Sequence, residues 1–336
     1  MKIDMKNWIA SVIASPQRVA VPIMTHSGIE LLGHTVNDAV TNGEVHYQAI
    51  KVLSEKYPSE ASSVIMDLTV EAEAFGAEIY FSENEVPSVV GRLVSTPEEI
   101  EKLEIPSLDT ARLPEYIKAN RLVAAEVTKP VLAGCIGPYS LAGRLYDMSE
   151  IMMAMYIDPD SIKLLLSKCT EFITKYCQAL KEAGANGVLI AEPAAGLLSN
   201  DACMEFSSLY VKQIVDKVQD DFFSVILHNC GNTGQCTEAM VYTGAAGYHF
   251  GNGIDMISAL NDCPKDALVM GNIDPVSVLK MASSQQVYEQ TMQLLTDTAA
   301  YPNFVLSSGC DTPPEIPFAN IEMFYQALND YNSTLK

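Results

Sequence analysis

Positive charge is what this sequence has least of. Its 21 lysines and arginines stand against 42 acids, for a net charge of −21. A surface this acidic repels phosphate backbones and anionic lipid, so nucleic acid and membrane surfaces are disfavoured partners. The chain also lacks an uncharged apolar run of the roughly 20 residues that cross a bilayer. Its opening residues, MKIDMKNWIASVIASPQR, hold no long apolar stretch of the secretory kind. They read as a short amphipathic helix ending before Pro16. The eight cysteines form no C-x-x-C and no framework spacing. In a long chain without a secretion signal, this fits reduced thiols in a cytoplasmic protein. Most of them read as small buried hydrophobes. No G-x-G-x-x-G follows the first apolar run, which weakens dinucleotide binding. No arginine lies between Arg18 and Arg92.

Apolar sequence is plentiful, at 48% of residues, enough for a large core. It falls into short runs at 18–25, 77–82, 127–138, 185–193, 223–231, 245–252, 267–275 and 303–311. Helical periodicity lies between them, as in 159–185 and 200–219. Strands that alternate with helices argue for a parallel sheet, and continuous apolar runs fit strands covered on both faces. About eight such units predict an α/β chain folded as a (β/α)8 TIM barrel. An open doubly wound sheet is the alternative. Residues 1–336 then make one domain, in which 1–125 includes extra N-terminal helices that decorate one barrel end. Among these, 60–78 has helical spacing. At 95–103, Thr96 is placed as N-cap, with Pro97 at the first helical position and Glu99 three residues past the cap.

Barrels place their chemistry at the C-terminal strand ends. There the sequence puts Cys135, Glu192, His228, Cys230, His249, Asn272, Asp274, Cys310 and Asp311. His228 and Cys230 are two apart, so in an extended strand both side chains face one side. Imidazole and thiolate are zinc ligands, and a catalytic zinc keeps one position open. Cys310, in SSGCD, is one candidate for a third ligand; Cys236 is a local alternative. Glu192, directly after an apolar strand, reads as a fourth ligand, a general base, a partner of His228 or a cap on a neighbouring helix. His249 reads either as a rim residue or as a satisfied core histidine. Asn272 and Asp274 in GNIDP fit a tight strand-end turn. His26, in MTHSG, is placed to line the mouth, while His34 and His46 share no site spacing.

The segments ILHNCGN, YHFGN, VMGNIDPV and VLSSGCDTPPEIPFANIEMF, in this order, resemble the uroporphyrinogen decarboxylase-like superfamily. They are most similar to its corrinoid methyltransferase branch, typified by methylcobamide:coenzyme M methyltransferases. DLTVEAEAFGAEIYF, GCIGPYSLAGRL and EPAAGLLS extend the resemblance over nearly the whole chain. The resemblance implies a (β/α)8 barrel and Zn2+ held at His228, Cys230 and Cys310, with Glu192 a looser fourth ligand. It implies that an acceptor thiol binds the zinc as thiolate and takes a methyl group from a methylcobamide, presented by a separate corrinoid protein. His249, Asn272 and Asp274 are then candidates for contact with the corrinoid. Loading of a corrinoid protein from a methoxy or methylamine donor is the alternative within the branch. The decarboxylase itself is disfavoured. Its arginine-rich segment is here PIMTHSGIELLG, and the aspartate of its Phe-Ser-Asp is here Glu83, after Phe81 and Ser82.

Overall fold

A computed structural model describes residues 2–335. Its strands are β1 (Ser62–Ser63), β2 (Glu78–Tyr80), β3 (Ser88–Val90), β4 (Val131–Ile136), β5 (Gly187–Ala191), β6 (Ser224–Asn229), β7 (Gly247–Phe250), β8 (Leu268–Ile273) and β9 (Phe304–Ser308). Seven form one parallel sheet in the order β1-β4-β5-β6-β7-β8-β9. The first apolar run bridges its two edges. Val21 N–H donates to the Leu306 carbonyl at 2.9 Å, and Leu306 N–H donates to Val19 at 3.0 Å. On the other side, the Ala20 carbonyl accepts from Glu60 N–H at 2.9 Å, on the approach to β1. The sheet thereby curls into a TIM-barrel-like fold, with helices such as Pro159–Glu182 and Leu209–Val218 packed outside.

Two expectations are corrected. The run at 77–82 is not a barrel strand: β2 pairs antiparallel with β3 in a separate two-stranded sheet. The barrel strand of this region is β1, inside 60–78, where helical spacing was expected; helix there begins only at Val70 and ends at Phe75. Val64 and Ile65 are buried in either arrangement, and so short an apolar run does not reveal its period. The N-terminal helix spans Met5–Ala14. Thr96 and Glu99 form the capping box at Pro97–Lys102.

Alternation along the strands decides which side chains reach the barrel interior. Leu132, Leu189, Ile226, Leu268, Met270 and Val305 point inward and pack with Met5, Ile9 and Val12 of the N-terminal helix, which closes one end. Their neighbours Val188, Ile190, Val225, Leu227, Val269 and Leu306 face the outer helices. Continuing the same count upward, His228, His249 and Ser307 fall on the inward set. Glu192 falls on the outward set.

The strand ends approach one another closely enough that two glycines are needed. A Cβ on Gly251 would lie 2.7 Å from the Cα of Cys230, and one on Gly309 would lie 2.7 Å from the backbone nitrogen of Asn252. Backbone does not yield as a flexible side chain does. Gly251→Ala should therefore lower stability by ~1–3 kcal/mol, as overpacked sites do, read from denaturant melts. A melt matching the parent would show that this approach is loose.

Candidate metal centre

The inward positions at the top of β6, and the turn after β9, bring three donors together. The ligand atoms of His228, Cys230 and Cys310 all lie within 4.8 Å of one another. Cys310 Sγ is 3.7 Å from His228 Nε2. Among the described residues, no other three histidine, cysteine or acidic side chains converge in this way. His228 is buried, whereas Cys230 and Cys310 are the two cysteines that retain some exposure.

A hydrogen-bond chain fixes which nitrogen of His228 is available. The hydroxyl of Ser307 donates to the Val21 carbonyl at 2.8 Å. Its proton is thus spent, so its 2.8 Å contact with His249 Nε2 is an N–H donated by the imidazole. The Nδ1 of His249 is then bare and accepts from Nδ1 of His228, at 2.8 Å. This leaves His228 Nε2 with a lone pair aimed at the two thiols. The proton order is assigned from the network, as tautomers must be. Burial, and then the neighbouring His228, hold the pKa of His249 well below the ordinary imidazole value, so His249 stays neutral. β-Sheet register makes the contact possible, since His228 and His249 are paired residues of β6 and β7.

The thiols interact in turn. A hydrogen bond from Cys310 holds the Cys230 thiol below its ordinary pKa; the same bond and burial push Cys310 up. The first proton of the pair is thus easier to remove than the second, and a bound dication would favour removal of both. Two sulfurs and one imidazole lone pair form a donor set suited to zinc, with one position left for another ligand.

The other sequence candidates lie elsewhere. Glu192, on the outward set, uses both oxygens at the N-terminus of helix Pro138–Tyr146. It accepts from Tyr139 N at 2.8 Å, Ser140 N at 2.9 Å and Ser140 Oγ at 2.8 Å. Of the roles open to it in sequence, the geometry matches the cap on a neighbouring helix. Cys236 is the residue before helix Thr237–Tyr242, where its thiol donates to the carbonyls of Ala195 and Leu198. Asn272 donates to the carbonyls of Gly251 and Ile254, and Asp274 caps the helical turn Pro275–Lys280. Both border a polar cavity of about 380 Å³ on the rim. Cys135 packs against Cys177, 3.8 Å away. His46 is a core histidine that accepts from Ile65 N, its pKa pushed down to about 3 by burial. Ser307 and the Val21 carbonyl were not anticipated. Counting the alternation up β9 from Val305 places Ser307 beside the metal set.

Burial raises Glu192 to about 7, against the pull of its hydrogen bonds. A carboxyl whose folded pKa is raised stabilises the fold most below its unfolded pKa, and that stability is lost as pH rises through the folded value. In metal-free protein, Glu192→Gln should therefore flatten the fall in melting temperature between pH 5 and pH 8. An unchanged slope would place the titration elsewhere.

Comparison with known proteins places this architecture. Residues 10–331 match the family model described as uroporphyrinogen decarboxylase (URO-D). The chain is 30% identical over 286 residues to the methylcobamide:CoM methyltransferase MtbA of Methanosarcina acetivorans, covering 81% of this chain and 80% of the relative. It is 26% identical over 285 residues to a uroporphyrinogen decarboxylase of Legionella pneumophila, covering 82% and 80%. Among solved structures, a methyltransferase from Methanosarcina mazei superposes with a TM-score of 0.87 at 22% identity, over 98% of both chains. A B12-independent methionine synthase from Shewanella sp. W3-18-1 shares the fold at a TM-score of 0.62 and 13% identity, over 95% of this chain and 97% of the other. The chain belongs to the uroporphyrinogen decarboxylase family of enzymes, in the branch that contains the corrinoid methyltransferases.

Proposed function

We propose that this enzyme moves a methyl group from a methylated corrinoid, carried by a separate corrinoid protein, to a small thiol. The coenzyme M named for its relatives is the model acceptor. The observation that carries this reading is the convergence of His228, Cys230 and Cys310, with one imidazole lone pair held toward two thiols. A zinc ion on these three residues would supply the charge that draws off the proton of an added thiol, whose ordinary pKa of about 8.5 leaves it mostly protonated at neutral pH.

The chain's own groups set the rest. His249 and Ser307 hold His228 in one tautomer, so its Nε2 needs no reorganisation to bind. Cys230 and Cys310 as thiolates put two negative charges beside the acceptor sulfur, which preserves its nucleophilicity. That suits attack on carbon better than a ligand set made to polarise a carbonyl. In the reaction a carbon–sulfur bond forms as the cobalt–carbon bond breaks. The electron pair of the broken bond stays with cobalt, and the thiol proton passes to solvent. Decarboxylation of a polyanionic tetrapyrrole finds no support, since the segment after the first strand offers Thr25, His26 and Ser27 where arginines would be needed.

The test is the visible spectrum of methylcobalamin mixed anaerobically with zinc-loaded enzyme and a panel of thiols. Decay to cob(I)alamin is expected with a thiol present. Cys230→Ala and Cys310→Ala should each lose at least ~100-fold of that rate, about 2.7 kcal/mol, while melting like the parent. If no thiol demethylates the corrinoid, thiol transfer falls, and loading of a corrinoid protein from a methoxy or methylamine donor replaces it.

A further inference from the structure

Of the three metal donors, Cys310 is the one that sheet pairing does not hold. His228 lies within β6, and Cys230 directly follows Asn229, the last residue of that strand, which pairs with Phe250 of β7. Cys310 lies two residues beyond Ser308, where β9 ends. The chain then runs into Pro313 and Pro314, which have no N–H to donate. A tether on the far side of Cys310 must therefore come from Asp311 and Thr312.

Both residues supply one. On the strand side, Gly309 N–H donates to the Ile273 carbonyl at 2.7 Å. Past the cysteine, Thr312 N–H donates to the Ile23 carbonyl at 3.0 Å. The Asp311 carboxylate accepts from the Thr25 hydroxyl at 3.1 and 3.3 Å, and from Thr25 N–H at 3.4 Å. The two contacts past Cys310 thus both reach the apolar run that closes the barrel.

Thr25 shows what this contact displaces. It is the N-cap residue of helix His26–Leu32, where a threonine oxygen ordinarily accepts from the first N–H groups of the helix. Here its side chain caps nothing, and its hydroxyl is given to Asp311. His26 Nδ1 lies 3.7 Å from the same carboxylate and makes no hydrogen bond.

Asp311 faces no ligand position of its own. Its oxygens stand outside the donor cluster of His228, Cys230 and Cys310. Nor does it line the cavity of about 540 Å³ at His26, whose wall includes Glu30, Glu85, Lys280 and Pro313. What it holds is the chain beside Cys310. A mobile turn would have to be ordered as metal binds, and the lost entropy would lower the affinity. A turn already held keeps Cys310 Sγ 3.7 Å from His228 Nε2 with no ion present.

We propose that Asp311 is a positioning residue of the metal site: through Thr25 it fixes the turn that carries Cys310, so that the third donor is in place before zinc binds. The assignment rests on the metal reading of His228, Cys230 and Cys310, and not on the identity of the acceptor thiol.

Zinc affinity of the full chain, measured by competition with a chromophoric chelator, tests this apart from turnover. Asp311→Ala should weaken zinc binding at least ~10-fold, as loss of a partner behind a metal ligand does. Its metal-free form should melt within about 4 °C of the parent. Asp311→Asn, whose amide oxygen still accepts from Thr25, should retain most of the affinity. Thr25→Val should match Asp311→Ala, and the double variant should bind zinc no more weakly than either single one. Parent affinity in Asp311→Ala overturns the proposal. So does a loss that Thr25→Val does not share or Asp311→Asn does not restore, because the carboxylate would then act by its charge. If Asp311→Ala does not fold, Thr25→Val decides: weakened zinc supports the proposal, and parent affinity overturns it. If the parent itself binds no zinc, the metal reading falls and this proposal with it.

Discussion

The contact on which the site depends is the 2.8 Å hydrogen bond between the Nδ1 atoms of His228 and His249. Two imidazoles in this arrangement have one proton between them. Ser307 settles its place by forcing the other nitrogen of His249 to donate. The order then propagates to Nε2 of His228. The usual partner behind a metal-binding histidine is a carboxylate, a carbonyl or a water. A neutral imidazole orients the ligand without adding negative charge. A site with two thiolates already neutralises a dication, so a further carboxylate there would weaken its pull on an added thiol.

The barrel supports this contact through alternation and register. Inward positions lower on the strands are filled by Leu189, Ile226, Met270 and Val305. The same inward count at the rim yields His228, His249 and Ser307, so packing below and chemistry above obey one rule. The outward count yields Glu192, whose carboxyl is consumed in ordering the helix beside it. Glycines 251 and 309 let the strand ends come close enough for the loops to carry Cys230 and Cys310 to the same place.

Much of this was legible in the sequence. Apolar runs separated by helical periodicity pointed to the barrel, and His-x-Cys at a strand end pointed to the place where the cluster with Cys310 forms. Spacing alone left Cys236 beside Cys310, because the choice depends on how far the loop after β6 turns before its helix begins; only the family resemblance pointed to Cys310. β1 was hidden by its length: two residues of pairing leave no period to read. β2 looked like a barrel strand because 77–82 is a short apolar run, but it serves a small surface sheet instead. The sequence placed His26 at the mouth but not the cavity around it, whose walls come from four stretches that only the closed barrel brings together.

The central claim is that His228, Cys230 and Cys310 hold zinc with a position free for a thiol. X-ray absorption at the zinc edge, recorded on the zinc-loaded enzyme with and without acceptor thiol, tests it most directly. The account predicts two sulfur neighbours in the resting enzyme and three once thiol is added. An unchanged sulfur count on adding thiol would mean a closed structural site. Two sulfurs persisting in Cys310→Ala would mean that the metal lies elsewhere, and either result would contradict the account.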